Sequence, residues 1–231
     1  MSKKNGSKFL VIIPARGGSK GVPRKNLKEL CGQPLIKWSI QSGQESNSLK
    51  TIVVSTDDND IAQVATLSGA LVVLRPAELA TDNSQTELTI AHTLESVPDS
   101  DSYTHIVLLQ PTAPIRRKGL VDQAIEKMIH DESDSLVGVV ESSPFIWKGS
   151  TNDATAMYNV ARRPMRQSFT QDDLSYRETG NIYITTVNAF RNSGIRVSGK
   201  TSLFVLDMNE GLDIDTQLDF DLAEATLRIP G

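Results

Sequence analysis

The chain has 231 residues, of which 39% are hydrophobic and 23% are charged, as is ordinary for a soluble globular protein. This length is enough for one large α/β core, or for a core with a modest subdomain, without disulfide or metal support. The formal net charge of -4 argues against a general nucleic-acid binder, and we expect no nucleic-acid partner. The single cysteine, Cys31, excludes a disulfide within the chain and favours a reducing compartment.

The first residues, MSKKNGSK, are basic, but the apolar run that follows covers only residues 9–13. That run is too short for the core of a signal peptide or for a spanning helix, and charged residues follow it. We therefore expect a cytoplasmic protein without a membrane association.

The first third of the chain alternates predicted strands and helices. Residues 9–13 form an apolar run typical of a buried parallel strand, and Pro14 ends it because proline cannot donate to a ladder. A helix is predicted near residues 32–40, a strand at 51–55, a helix at 61–67 with Thr56 or Asp57 as its N-cap, and a strand at 70–74. This rhythm is typical of a doubly wound, mostly parallel α/β sheet.

The remaining elements follow the same pattern. A helix is predicted at 85–95 with Leu88, Ala91 and Leu94 facing inward, a strand at 105–109, a helix at 120–129 and strands at 135–141, 181–186 and 201–206. Leu218, Leu222, Ala225 and Leu227 indicate a closing helix. We expect the whole chain, 1–231, to be one domain.

The segment 142–176 breaks the pattern, because it is rich in Pro, Ser, Thr, Asn and Arg and has no long apolar period. It contains Trp147, Lys148, Arg162, Arg163 and Arg166. One interpretation is an irregular surface excursion. The other is a functional or partner-binding insertion, since a structureless loop of this length is unusual in a compact domain.

The loop after the first strand is strongly basic. Between residues 16 and 28 there is no acidic residue, glycine occupies positions 17, 18 and 21, and five side chains are basic, namely Arg16, Lys20, Arg24, Lys25 and Lys28. Glycines let backbone amides turn toward an anion, and the side chains add positive charge, so the loop suits a polyphosphate. Neither the Walker pattern nor the dinucleotide fingerprint is present in residues 14–28.

A plain solvated turn is the alternative interpretation of this loop. It accounts for Lys28, but it does not account for the run 16–20 directly after a buried strand, where open α/β sheets bind ligands. A second polar loop begins at Gln110, after the strand at 105–109. Pro111 and Pro114 prevent both ladder and helix there, so Gln110 and Thr112 are expected in a fixed conformation.

Two carboxylates lie at i and i+2 near the far end of the chain, at Asp213 and Asp215. In an extended segment they point the same way and can share a hard cation, while Ile214 turns into the core. Asp-x-Asp alone is a weak signal. Together with a polyphosphate loop it indicates Mg²⁺, which commonly bridges carboxylates and phosphate oxygens.

These motifs resemble those of the CMP-sialic acid synthetases, the acylneuraminate or nonulosonate cytidylyltransferases. The resemblance rests on residues 14–21 (PARGGSKG) closed by Lys25 and Asn26, and on five later blocks in family order. The blocks are 55–58 (STDD), 74–80 (LRPAELA), 109–114 (LQPTAP) with Arg116, 180–184 (GNIYI) and 213–216 (DIDT).

The resemblance implies a Rossmann-like sheet of the nucleotidyltransferase type with a small dimerisation subdomain inserted at 142–176. It implies that CTP is joined to a nine-carbon keto-sugar acid, such as sialic, legionaminic or pseudaminic acid, with release of pyrophosphate. Arg16, Lys25, Asp213 and Asp215 would be catalytic, and Asp213 and Asp215 would hold Mg²⁺. The nucleotide would be bound by Ala15, Arg16, Gly17, Gly18, Ser19, Lys20, Lys25, Asn26 and Arg75.

The sugar site and the oligomeric state are implied in the same way. Gln110 and Tyr183 would line the sugar pocket, and Lys148 and Arg166 of the insertion would reach the neighbouring subunit's site in a homodimer. Tyr183 is equally well explained as a core aromatic of its strand. The three histidines, His92, His105 and His130, are expected to be structural, so no protein general base is assigned.

Two other functions fit parts of the sequence. One is cytidylyl transfer to the eight-carbon sugar acid of lipopolysaccharide, whose enzymes have a similar loop. The other is a regulatory nucleotide-binding module without catalysis, which the intact pairing of Arg16 and Lys25 with Asp213 and Asp215 disfavours.

Overall fold

The computed structural model describes residues 6–49, 51–143, 145–163, 165, 167, 169 and 174–229. In chain order the elements are β1 (Phe9–Pro14), β2 (Glu29–Leu30), β3 (Gln33–Pro34), α1 (Leu35–Gln44), β4 (Thr51–Thr56), α2 (Asn59–Leu67), β5 (Leu71–Leu74), α3 (Thr86–Ser96), β6 (His105–Leu108), α4 (Leu120–Asp131), β7 (Ser135–Ser142), β8 (Trp147–Ser150), β9 (Asp153–Ala156), β10 (Ser175–Thr186), α5 (Val187–Ser193), β11 (Thr201–Val205) and α6 (Gln217–Arg228).

A seven-stranded sheet in the order β11-β7-β10-β6-β1-β4-β5 forms the centre of the molecule. Only β10 runs antiparallel to its neighbours, β6 and β7, so the predicted mostly parallel sheet is confirmed. The chain builds outward from β1 through β4 and β5 and then returns to β6 on the other side of β1. This reversal opens a crevice at the carboxyl ends of the strands, where such sheets bind ligands.

Helices cover both faces of the sheet because the side chains of β1 alternate between two apolar layers. Val11 and Ile13 belong to the layer that packs with α1, α2 and α4. Leu10 and Ile12 belong to the opposite layer, which contains Ile90 of α3 and other residues of α3 and α5. All four β1 residues are fully buried.

The inward face predicted for α3 is partly wrong. Leu94 is buried, but Leu88 is exposed, and the buried face also contains Thr89, Ile90 and Thr93. The two threonines are tolerated there because their hydroxyls are bonded: Thr89 accepts from Arg75 at 2.7 Å and Thr93 donates to the carbonyl of Thr89 at 2.7 Å.

The closing helix exists as α6, but the inward face predicted for it is partly wrong. Leu227 is partly buried as expected, whereas Leu218, Leu222 and Ala225 are exposed, and Phe220 and Ala223 are buried. The helix turns this narrower face toward a small apolar cluster below the basic loop, and that direction is set by tertiary packing rather than by the leucine spacing.

The N-cap of α2 is Asp58 rather than Thr56 or Asp57. Its carboxylate accepts hydrogen bonds from the amides of Asp60 at 2.9 Å and Ile61 at 3.0 Å. Asp57 is directed instead toward the basic loop, so consecutive aspartates have separate roles.

The segment 142–176 contains regular structure where it is described. Strands β8 and β9 form a hairpin, and β10 begins at Ser175 rather than at residue 181. The side chains of Trp147, Met157 and Val160 are exposed. None of the helices in the described part of the chain has the length and apolar character needed to cross a bilayer.

Candidate nucleotide-binding site

A cleft of about 490 Å³ lies at the carboxyl ends of the central strands. Its lining comes from the loop after β1, the segment after β5, the loop after β6 and the far end of the chain. The predicted site residues among the lining are Arg16, Ser19, Lys20, Lys25, Asn26, Arg75, Gln110 and Asp215. Side chains separated by up to 199 positions of sequence, from Arg16 to Asp215, therefore meet at one edge of the sheet.

The remaining predicted loop residues support this lining. Ala15 is buried, and its amide extends the ladder by donating to the carbonyl of Ser55 at 2.9 Å. The amide of Gly17 donates to Asp57 at 3.1 Å, which ties the loop to the end of β4. Gly18 joins Gly17 to Ser19, and Ser19 lines the cleft.

The side chain of Asn26 closes the loop on itself. Its amide nitrogen donates to the carbonyl of Arg16 at 2.9 Å, and the residue is buried. Arg24 points away from the cleft and pairs with Asp60 at 2.6 Å and Asp58 at 3.6 Å. The Arg24 guanidinium is thus a surface charge that fastens the loop to α2.

Lys25 and Asp215 are neighbours. The Lys25 ammonium lies 3.5 Å from a carboxylate oxygen of Asp215 and also donates to the carbonyl of Ile214. The Lys25 side chain is 12% exposed and that of Asp215 81%, so the cation is held in place and the anion faces solvent. The pair adds little stability at such exposure, but it sets opposite charges at one edge of the cleft.

Apolar packing brings the 213–215 segment to the loop. Ile214 is fully buried, as predicted, in a cluster with Val22 of the loop, Leu30, Leu35, Phe220 and Ala223. The amide of Ile214 donates to the carbonyl of Thr112 at 2.8 Å, which also joins the segment to the loop after β6.

Asp213 lies deeper than Asp215. Its Oδ1 atom is buried and accepts no hydrogen bond from the described residues, and such orphan acceptors are rare. A Cβ placed on Gly180 would lie 2.4 Å from Oε1 of Gln110 and 3.0 Å from Oδ2 of Asp213. A side chain at position 180 would therefore have to displace these two side-chain oxygens, which approach the backbone closely. Asp213 and Asp215 both line a second hollow of about 510 Å³ that also contains Arg177.

Arg116, which is partly buried, fixes the backbone around Gln110. Its guanidinium donates to the carbonyl of Gln110 at 3.0 Å, to the carbonyl of Asn181 at 2.7 Å and to the hydroxyl of Ser39 at 3.0 Å. Burial lowers the pKa of Arg116 to about 9, with Glu210 and Asp213 opposing that shift. The group therefore stays charged at neutral pH.

The other predicted sugar-site residues lie outside the cleft lining. Tyr183 is buried in the core, its hydroxyl donates to Glu178 at 2.7 Å, and the Arg196 guanidinium lies 4.8 Å from its ring centre. Burial, reinforced by Glu178, raises the pKa of Tyr183. Lys148 is exposed on β8. Arg166 lies outside the described residues.

Arg75 lies at the inner wall. It is buried, and its Nε atom has no partner among the described residues, although Nη1 donates to Thr89. Burial lowers the pKa of Arg75, and Asp57 acts in the opposite direction. A buried guanidinium with a free donor is suited to bind acceptor atoms of a ligand.

The sequence interpretation missed the wall opposite the basic loop. Asp82 pairs there with Arg16 at 2.8 Å and with Lys20 at 2.5 Å, and the hydrogen bond from Lys20 lowers the pKa of Asp82. Ser84 and Thr86 line the same wall. The only available signal was the polar character of 76–84, which any solvated loop shares.

The histidines take no part in this cleft. His105 stacks on Phe9 at 4.7 Å at the amino end of β6, away from the carboxyl ends where the cleft lies. Burial lowers the pKa of His105 to about 4, so it is neutral near pH 7.

The cytidylyltransferase family model matches residues 10–183. The chain belongs to this family. That match covers every loop of the cleft except the segment that carries Asp213 and Asp215.

Curated relatives extend the similarity over almost the whole chain. A CMP-N,N'-diacetyllegionaminic acid synthase of Legionella pneumophila is 34% identical and a pseudaminic acid cytidylyltransferase of Campylobacter jejuni is 31% identical, each over 96% of this chain and 97% of the relative. An N-acylneuraminate cytidylyltransferase B of Danio rerio is 33% identical over 92% of this chain, which spans 50% of that relative. The family resemblance seen in the motifs is confirmed.

A solved structure has the same fold. It is a CMP:2-keto-3-deoxy-manno-octonic acid synthetase complexed with CTP, and it matches with a TM-score of 0.71 over 96% of this chain and 98% of the other at 17% identity.

The contact between the loop and the far segment predicts the effect of Gly21→Ala. A Cβ at Gly21 would lie 1.9 Å from the carbonyl oxygen of Asp215, so the two segments must separate. We expect a loss of about 1–3 kcal/mol in the free energy of unfolding, as for other forced overpacking. Chemical denaturation measures it.

Gly18→Ala is the matched control for folding. It makes the same change in the same loop, and a Cβ there would meet no atom within 4 Å. Equal destabilisation by both variants would contradict the close contact.

Proposed function

We propose that this protein transfers the cytidylyl group of CTP to the anomeric hydroxyl of a nine-carbon keto-sugar acid, releasing pyrophosphate. The observation that carries the proposal is the juxtaposition of Lys25 and Asp215 at a cleft whose basic side is formed by Arg16 and Lys20. The names of the relatives, which are synthases for legionaminic, pseudaminic and N-acylneuraminic acids, support the substrate class.

The nucleotide would lie across the cleft with its two ends recognised differently. The triphosphate would contact Arg16, Ser19, Lys20 and Lys25, because several fixed cations and a hydroxyl match an anion with many oxygens. The pyrimidine would reach Arg75, whose buried guanidinium can donate to the ring's carbonyl and nitrogen acceptors. The loop glycines would let the chain pass close to the phosphates.

The reaction is an in-line displacement at the α-phosphorus. The anomeric hydroxyl gives its proton to solvent as its oxygen forms a bond to phosphorus, the bond to the oxygen that bridges to the β-phosphate breaks, and pyrophosphate leaves with the electron pair. Negative charge grows on the leaving group, and Arg16, Lys20 and Lys25 would stabilise it. Lys25 is well placed for this role because its contacts with Ile214 and Asp215 already fix its position.

The carboxylates of Asp213 and Asp215 fit a magnesium ion. Mg²⁺ is usually held by one or two carboxylates together with substrate phosphates. Asp213 offers a buried oxygen without a partner, and Asp215 faces the cleft. The described residues contain no group of three or more His, Cys, Asp or Glu suited to a metal. When bound, the ion would neutralise phosphate charge.

The acceptor would enter beside Gln110. This residue lines the cleft, its backbone is fixed by Arg116, and its side-chain oxygen lies next to Gly180 and Asp213. A sugar acid held here would place its hydroxyl between the carboxylate segment and the phosphates. Tyr183 lies behind this position as a packed support, and Lys148 would act only from a neighbouring subunit.

An acceptor screen tests the proposed reaction. Pyrophosphate release is measured with CTP and Mg²⁺ and with sialic, legionaminic, pseudaminic or the eight-carbon keto-acid, with UTP in parallel. We expect release with CTP and at least one nine-carbon acid. Turnover confined to the eight-carbon acid, or binding of CTP without any turnover, would contradict the proposal.

Asp215→Asn tests the metal role. Because the Asp215 side chain is exposed, we expect unchanged thermal stability, while turnover falls by about 100-fold or more through lost stabilisation of charge. Asp221→Asn is the matched control. Asp221 is an exposed carboxylate on α6, six residues after Asp215, and it lies outside the lining of both hollows. Unchanged turnover in Asp215→Asn would remove this residue from the site.

We further propose a homodimer that forms through the insertion. The β8–β9 hairpin exposes Trp147, and Met157 and Val160 follow it, so an apolar surface stands away from the core. The rings of Phe145, Tyr158 and Trp147 pack edge to face and hold that surface together. Lys148 beside Trp147 would then lie near the partner, as the resemblance implies.

Trp147→Glu tests this interface. Trp147 is 55% exposed, so a charge there is compatible with the folded subunit but not with a buried contact. We expect sedimentation analysis to show a dimer for the native chain and a monomer for the variant. Leu67→Glu, at an 81% exposed residue of α2, should remain dimeric. A native monomer, or dissociation by both substitutions, would contradict the assignment.

A further inference from the structure

Two cations of the basic loop that line the cleft are already paired with an acid. Arg16 lies 2.8 Å from one carboxylate oxygen of Asp82, and Lys20 lies 2.5 Å from the other. These cations are two of those that the proposed triphosphate needs. Asp82 therefore holds, with its two oxygens, the position that two phosphate oxygens would take.

Carboxylate and phosphate oxygens compete for the same donors. An N–H group bonded to Asp82 is not available to a phosphate, and an additional anion beside the Asp82 carboxylate would be repelled. A polyphosphate that bonds to the same N–H groups must displace Asp82. The free energy of the two ion pairs is thus subtracted from the free energy of binding.

Asp82 is positioned to be displaced without unfolding. It lies in the turn that joins the 3-10 segment Ala77–Ala80 to α3, and this turn is closed by a hydrogen bond from the amide of Ser84 to the carbonyl of Thr81 at 3.2 Å. Its side chain is 39% exposed, and none of its neighbours 79–81 or 83–86 is buried. Moving the side chain disturbs no core contact.

We propose that Asp82 is a built-in competitor of the polyphosphate, which weakens the binding of CTP and of pyrophosphate by the same factor and so eases the release of pyrophosphate after turnover. The inference rests on the proposed function. CTP carries a base and a ribose that add further contacts, so it stays bound despite this cost, whereas pyrophosphate is held by its charge alone. A carboxylate tethered to the chain competes at a high effective concentration.

Asp82→Asn tests the competition because it keeps the size of the side chain and removes its charge. Binding of disodium pyrophosphate and of CTP is measured by calorimetry without divalent metal. We expect both dissociation constants to fall by a similar factor, about tenfold, given the strength of exposed ion pairs. In turnover assays, inhibition by pyrophosphate should become stronger by a similar factor.

Two comparisons isolate the mechanism. Asp101→Asn removes an equal charge that is paired with Arg191 at 2.8 Å at the other end of the sheet, and it should leave both constants unchanged. In a Lys20→Gln background, Asp82→Asn should tighten pyrophosphate binding by only about threefold, because one of the competing pairs is already absent.

The outcomes separate the two proposals. If the native chain binds CTP and pyrophosphate but Asp82→Asn binds pyrophosphate no more tightly, the competition is refuted and the proposed function stands. Weaker binding in Asp82→Asn would also refute it, since Asp82 would then assist the ligand. If the native chain binds neither compound, the proposed function fails and the role of Asp82 fails with it.

Discussion

A small apolar cluster determines whether this cleft exists. Val22 of the basic loop and Ile214 of the 213–215 segment are buried in one cluster with Leu30, Leu35, Phe220 and Ala223. Burial of this apolar surface supplies the free energy that holds the basic loop next to the two carboxylates of Asp213 and Asp215. Exposed ion pairs between the two segments would be too weak to do so alone. The chemistry thus depends on a contact that contains no polar atoms.

The polar groups around the cleft are of two kinds, packed inner groups and exposed outer charges. Lys25, Asn26, Arg75 and Arg116 are held by packing and by hydrogen bonds to backbone or side chains. Asp215 and Lys20 are exposed. The inner groups are therefore preorganised, whereas the outer charges face solvent. Preorganised groups then cost no rearrangement when charge moves.

Much of this arrangement could be predicted from the sequence because it is local. The apolar run of β1, the basic loop and the Asp-x-Asp motif each carry their own pattern, and strand ends meet at one edge of any such sheet. The buried faces of helices α3 and α6 could not be predicted, because tertiary packing determines them. Leu88 and Leu222 follow helical spacing and are exposed, whereas Thr89 is buried because Arg75, from another strand end, satisfies its hydroxyl. Asp82 was missed because its partners lie more than 60 positions away.

The long strand β10 has a consequence for communication within the molecule. It is one continuous element from Ser175, where the insertion ends, to Thr186, and its pairing with β7 is interrupted between Glu178 and Tyr183, where Gly180 lies against Gln110 and Asp213. The irregular point of this strand lies against Gln110 and Asp213, while its first residue adjoins the insertion. A single strand thus connects the end of the insertion with two side chains of the candidate site.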